Sequence, residues 1–238
     1  MALELQFAPV LAQAPLLIQS FWLTIKLSTA AICLGASVGL LAAMTRSMLP
    51  KTSRWPIDLY VELIRNTPFL VQLYIIFFGL PAMGILIPAE YAGLLAMVIN
   101  LGAYSTEIFR AGIESVHHSQ IEAGLSLSLT RRQVFKHIIL KPAMAQVWPS
   151  LVSQFILTML ASSICSFISV EELSGAAAII QSLTFRSFEV YIIATLMYLA
   201  LALALKAALT ILGHAMFSHA APRKRRDTGP GPQAQVGS

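Results

Sequence analysis

Residues 68–109 read PFLVQLYIIFFGLPAMGILIPAEYAGLLAMVINLGAYSTEIF. An α-helix rises about 1.5 Å per residue, so this run is roughly twice as long as the ~30 Å hydrocarbon core of a bilayer requires. It is interrupted at Gly79-Leu80-Pro81 and again at Pro88, and glycine and proline are the residues that break a helical run. The run therefore divides into two spans joined by a short loop near residues 80–90. Three further apolar stretches, roughly 15–45, 143–170 and 188–217, bring the expected number of membrane-crossing helices to five. None of them alternates apolar and polar residues as a membrane β-strand does, so the expected fold class is all-α and integral to the membrane.

Composition points the same way. Of the 238 residues, 57% are hydrophobic and 11% are charged, where a soluble domain carries about 25% charged residues. The mean hydropathy is +0.74, which argues against an ordinary soluble enzyme. Cys33 and Cys165 both lie in apolar stretches and offer neither a disulfide framework nor a metal spacing. No basic residue precedes the first apolar run, so the N-terminus does not read as a cleaved signal peptide.

The lysines and arginines of short loops orient a membrane protein, because basic loops stay in the cytoplasm. The first connection holds Arg46, Lys51 and Arg54, and the 80–90 loop holds none. The next connection holds Arg110, Arg131, Arg132, Lys136 and Lys141. Arg186 stands alone near 170–187, and the tail holds Arg223, Lys224, Arg225 and Arg226. The alternation predicts an external N-terminus and a cytoplasmic tail. The formal charge of +5 is then topological and is no argument for nucleic acid, and the tail cluster reads as an anchor on anionic lipid. Residues 1–14 form an external segment on this reading and 15–217 the membrane domain. Residues 218–238 form a Pro/Gly/Gln-rich tail that reads as disordered.

The loop between Arg110 and Pro142 carries most of the information. Ser119-Gln120-Ile121-Glu122 and Thr130-Arg131-Arg132-Gln133 both have the form of a capping box. They predict a short helix at about 119–127, a tight turn at Ser128-Leu129 and a second helix returning to the membrane, with a boundary at Pro142. A two-turn helix is marginal unless it docks on something, which favours a partner protein on that face.

Polar groups inside a span are costly and are functional candidates by default. Asn100, Tyr104 and Glu107 share one face of the third helix; Glu107 is expected to pair with Arg110. The fourth helix carries Ser153, Gln154, Thr158, Ser162, Ser163 and Ser166, where gluing helices together and lining a pathway weigh about equally. Lys26 and Lys206 read as snorkelling or bundle-lining, and Gly35-x-x-x-Gly39 permits close helix packing. Glu171 and Glu172 in the outer loop either are solvated, the favoured reading, or touch a partner protein on that side. His117, His118 and His137 lack a metal-ligand arrangement, so no metal, cofactor or catalytic set is expected. On these residues alone a channel or a non-transporting scaffold stays open, and a membrane-embedded enzyme lacks its chemistry.

The chain also resembles a known family. Glu107-Ile-Phe-Arg-Ala-Gly-Ile-Glu-Ser-Val, Gln120-Ile-Glu-Ala-Gly, Arg131-Arg-Gln-Val-Phe and Ile138-Ile-Leu look like the EAA loop of permeases of binding-protein-dependent ABC importers. The polar amino-acid branch fits best. Supporting matches are Tyr60-Val-Glu-Leu-Ile-Arg-Asn-Thr-Pro-Phe-Leu-Val-Gln72, Asn100-Leu-Gly-Ala-Tyr104, Ser153-Gln-Phe-Ile156 and Glu172-Leu173, and the likeness covers roughly 15–217. It implies a five-helix type I ABC importer permease fold in which the helix at 119–127 is a coupling helix seated in a cytoplasmic ABC ATPase, through Glu122, Ala123, Gly124 and Ser128. The chain has no phosphate-binding Gly-x-x-x-x-Gly-Lys-Ser/Thr loop of its own.

The resemblance further implies a second permease subunit, identical or related, an external solute-binding protein, and an amino-acid substrate. An opine or other amino-acid-like solute is the alternative. It places the substrate pathway near Asn100, Gln154, Ser162 and Ser163. The family's Glu-Ala-Ala is Glu122-Ala123-Gly124 here, and its usual Gly six residues after that Glu is Ser128. Its Leu-Pro-Gln-Ala is Leu140-Lys141-Pro142-Ala143, and Leu160 stands where some relatives carry Lys.

Overall fold

The computed structural model describes residues 5–217 and is all-helical over them. A four-residue helix α1 (Ala8–Leu11) precedes α2 (Ala14–Met48), α3 (Trp55–Arg65), α4 (Phe69–Ala82) and α5 (Ala89–Glu114). Next come the short α6 (His118–Ser126), α7 (Arg131–Val134) and α8 (Leu140–Ala161), then α9 (Leu173–Thr184) and α10 (Ser187–Phe217). Four helical stretches are long and apolar enough to cross a bilayer. The pair α3 and α4, bent by 107° at its break, makes a fifth. The five expected spans are present, and the second of them is a broken one. The tail reading, from residue 218, lies outside the described residues.

The bundle is built around α2 against α5. Gly35 and Gly39 are both buried on α2. A side chain at Gly35 would stand 2.9 Å from the Leu101 Cβ, and one at Gly39 would stand 2.9 Å from the Gly102 carbonyl. Real Cβ atoms do not come that close, so the two helices can cross here only because both positions lack a side chain. Near the end of α5, a side chain at Gly112 would likewise stand 2.9 Å from the Ala143 carbonyl of α8.

Two charged levels mark the ends of this pair. At one end Arg46 and Arg110 share Glu114, at 3.8 and 2.5 Å. At the other end Lys26 of α2 and Glu90 of α5 line a common cavity. In each helix twenty residues separate the two levels, about 30 Å at the helical rise, which matches a hydrocarbon core.

Proline placement departs from the expected boundaries. Pro81 lies inside α4, which runs to Ala82, and Gly84 with φ of 84° makes the actual turn. Pro142 is no boundary either: it sits in the first turn of α8, continuous with α7 through a π turn at Phe135–Ile139. Proline brings no amide hydrogen to the ladder, and a turn widened to i→i+5 is how a helix passes such a gap without ending.

Candidate functional site

Two regions hold the residues singled out from the sequence. The first is the hairpin of α6 and α7. His117, not Ser119, caps α6: its Nδ1 accepts from the Ser119 amide at 3.3 Å and lies 2.7 Å from the Ser119 hydroxyl. The capping box expected at Ser119–Glu122 is therefore absent, because the N-cap lies two residues earlier and a histidine ring supplies the acceptor. Glu122 points outward, 3.1 Å from His118 Nδ1, with both side chains mostly exposed. The second box stands as expected: the Thr130 amide donates to Gln133 Oε1 at 2.8 Å, and the Gln133 amide donates to Thr130 Oγ1 at 3.4 Å.

The turn between the two helices is a Schellman motif. The Ser128 amide donates to the Leu125 carbonyl at 3.0 Å and the Leu129 amide to the Gly124 carbonyl at 3.2 Å, with Ser128 left-handed at φ 60°. That conformation is what glycine adopts freely and a side chain resists by roughly 1–2 kcal/mol. Ser128→Gly should accordingly raise the stability of the hairpin by about 1 kcal/mol. Amide exchange of the loop measures this, and unchanged or faster exchange would contradict it.

The four coupling candidates do not share a direction. Glu122, Ala123 and Ser128 are exposed, beside Leu125 and Leu127 at 45% and 76% exposure. Gly124 is buried, and a side chain there would overlap the Ile138 methyl and stand 3.1 Å from Val134 Cγ2. The small residue at 124 lets α6 lie down on its own second helix. Beneath it Val134, Phe135 and Ile139 pack with Ile121, Met44, Ile113 and Val116. The hairpin is thus wedged onto the ends of α2 and α5 and leads directly into α8.

The second region is the polar interior. Asn100 Nδ2 donates to Gln72 Oε1 at 2.9 Å. The Gln72 amide nitrogen in turn donates to the Ile64 and Thr67 carbonyls, at 2.7 and 3.0 Å, and to the Thr67 hydroxyl at 2.9 Å. Asn66 and Thr67 themselves return to the Glu62 and Leu63 carbonyls, both at 2.8 Å. A helix bent in a membrane frees carbonyls that lipid cannot satisfy; here the side chains of Asn66 and Thr67 at the corner and of its neighbour Gln72 satisfy them. Gln72 was not picked out from the sequence, although the Asn-Thr-Pro that ends α3 was the available sign.

Tyr104 and Glu107 face the same corner as Asn100. Arg65 lies over the Tyr104 ring at 5.5 Å, and Glu107 pairs with Arg110 at 2.6 Å, as expected, and with Arg65 at 3.8 Å. Arg65, Tyr104 and Glu107, with Arg46, which bonds Asp58 at 2.5 Å, line a cavity of about 420 Å³.

Asn100 is not gathered with the other pathway candidates. Ser162 is buried and donates to the Met159 carbonyl, and Ser163 donates to the Leu160 carbonyl, both at 2.7 Å. Both hydroxyls thus turn back onto carbonyls at the end of α8, where the chain passes into the 3₁₀ stretch Ser162–Ile168 that ends the fourth span. Gln154 is half-buried on α8, flanked by the exposed Ser153 and Leu157.

Glu172 corrects another expectation. It is fully buried. Its Oε1 accepts from the amides of Ser174 and Gly175 at 2.9 and 3.0 Å, capping α9, and Oε2 accepts from the Tyr198 hydroxyl of α10. The next amide, Leu173, donates to Thr24 of α2 at 3.1 Å. The carboxyl therefore ties α9 to α10 while the neighbouring amide ties it to α2, and burial pushes the Glu172 pKa above the ordinary carboxylate range.

A raised folded pKa means the stabilisation is fully present below the unfolded value and fades as pH rises through the folded one. Glu172→Gln, which keeps the cap acceptor, should flatten that slope and cost about 1 kcal/mol or less. Glu172→Leu should cost about 2–4 kcal/mol through the lost cap and the orphaned Tyr198 hydroxyl. Thermal unfolding across pH reads both, and equal losses would refute the cap.

The fold defines a polytopic helical membrane protein with a short, exposed helix in the loop between its third and fourth spans. Residues 35–218 match the model of the binding-protein-dependent transport system inner membrane component, and the chain belongs to that family. It is 36% identical over 185 residues to the probable glutamine ABC transporter permease protein GlnM of Bacillus subtilis, covering 78% of this chain and 86% of that protein. It is 34% identical to a probable amino-acid ABC transporter permease of Sinorhizobium fredii, covering 76% and 78%. Among solved structures, a crystal structure described as an amino acid ABC transporter with histidines superposes with a TM-score of 0.81 at 36% identity, over 90% of this chain and all of that one. The MetNI methionine transporter shares the fold at 14% identity and a TM-score of 0.75.

Proposed function

We propose that this chain carries a polar α-amino acid across the inner membrane by alternating access, as one of two permease subunits over a pair of cytoplasmic ABC ATPases. A solute-binding protein delivers the amino acid on the outer side. The N-terminus lies outside and the tail inside, following the basic loops.

The observation that carries this reading is the hairpin. Its exposed face of Glu122, Ala123 and Leu125 needs a partner, and its buried face is wedged against the ends of α2, α5 and α8. A push on α6 from a closing ATPase therefore moves three spans as one unit. A channel has no use for a docking helix set so firmly on its spans. Gln154, half-buried on α8, and Ser163, in the 3₁₀ stretch that follows it, line the solute path. Asn100 acts through Gln72 on the bend between α3 and α4. The amino-acid class rests on the likeness to the GlnM and Sinorhizobium permeases and to the solved amino-acid transporter.

The test is recovery of the tagged chain from its host membranes in mild detergent, read by intact-complex mass spectrometry. A phosphate-loop ATPase in the complex is the expected result, and its mass balance separates one permease type from two. A stable complex lacking any ATPase across several detergents would overturn the importer reading.

A further inference from the structure

A cavity of about 400 Å³ opens at the end of the bundle opposite the hairpin, between α2, the start of α5 and the turn before α9. Its charged lining is Lys26, Glu90 and Glu171, with Gln19 and Ser20 between them. All three charged side chains are exposed. None takes part in an ion pair among the described residues, although opposite charges share one small space. Their arrangement is imposed by the fold. Lys26 and Glu90 stand one membrane thickness from Arg46 and Arg110, at the boundary of the hydrocarbon core. Glu171 is held outward because its neighbour Glu172 is locked inward by Tyr198 and the α9 amides.

A lysine and two carboxylates kept apart across a space of this size have the layout of a receptor for a zwitterion. We infer that this cavity is an outer vestibule site for a free α-amino acid, its carboxylate on Lys26 and its ammonium between Glu90 and Glu171. With two carboxylates against one ammonium, it favours neutral and cationic amino acids and disfavours acidic ones. The inference rests on the amino-acid permease reading and adds to it a holding site ahead of the pathway on α8. The same chemistry, an ammonium and an anionic group, occurs in the headgroup of phosphatidylethanolamine.

The experiment uses the permease–ATPase complex without its binding protein, in phosphatidylcholine nanodiscs, with labelled L-arginine, L-glutamine and L-glutamate. Arginine or glutamine should bind, with glutamate weakest. Lys26→Gln should weaken binding about tenfold, the scale of one charge-assisted contact, and Glu171→Gln should shift the preference toward glutamate. Both substituted positions are exposed, and co-purification of the ATPase checks that each variant is intact. Binding in the two variants equal to wild type would overturn the vestibule. So would an absence of binding by a complex whose complete importer still takes up an amino acid, and that result would leave the transport reading standing. If the complete importer takes up none of the twenty amino acids, the transport reading falls and the vestibule with it. Displacement of the label by phosphatidylethanolamine in wild type but not in Lys26→Gln would assign the site to lipid and overturn the solute.

Discussion

A chain carrying Glu122→Arg and Ala123→Arg is expected to insert, fold and dimerise normally while losing ATP-driven uptake by at least about tenfold. Both side chains are exposed on α6, so the substitution removes only the exposed contact of Glu122 with His118; surface changes of that kind usually alter stability by about 0.5 kcal/mol or less. Two cations on a surface shaped for a carboxylate and a methyl group should block seating in a partner groove, because an unpaired charge pressed into an interface costs several kcal/mol. Uptake into vesicles, beside the melting temperature and the ATPase content of the purified complex, separates the two effects. Uptake at wild-type rate would remove α6 from the coupling role. A bulky residue at position 124 is the wrong test, since Gly124 faces Ile138 and Val134. It would unseat the hairpin from its own second helix and confuse folding with docking.

The largest loss of stability is expected from Gln72→Leu. Leucine fills a similar volume but removes all four hydrogen bonds of that side chain: three to the corner at Ile64 and Thr67, one from Asn100. Thr67 is exposed, so the loss falls mainly on the half-buried Ile64 carbonyl and Asn100 amide; such a group left without a partner costs about 1–3 kcal/mol. A loss of about 3 kcal/mol or more follows. Asn100→Leu should cost distinctly less, because Gln72 then keeps its three bonds to the corner. Thermal unfolding in one detergent ranks the two variants. Asn100→Leu as damaging as Gln72→Leu would mean that Asn100 holds something other than this bend.

Much of the molecule could be read from residue order, and the physical reason differs by region. Long apolar runs and basic loops are set by transfer of side chains and charges into lipid, a local property, so the spans were visible. Thr130 and Gln133 satisfy each other within one turn, and their box was visible too. The box at Ser119 misled because His117 and Ser119 offer rival acceptors two residues apart, and only the packed start of α6 selects the ring. Glu172 misled for a larger reason: beside Glu171 it looks like solvent-facing charge, yet its partner Tyr198 lies twenty-six residues further on.

By itself, then, the sequence determined that this is an all-helical membrane protein with five spans and a helical hairpin between the third and fourth, because hydropathy and helix ends are settled over a few residues. Tertiary structure alone decided which way each small or polar residue faces. It turned Gly124 inward and Glu122 outward, folded Asn100 and Gln72 onto a bend, and buried Glu172 while leaving Glu171 exposed on the cavity opposite the hairpin. Those choices depend on partners tens to more than a hundred residues away, as with the Leu173 amide on Thr24, and no local pattern encodes them.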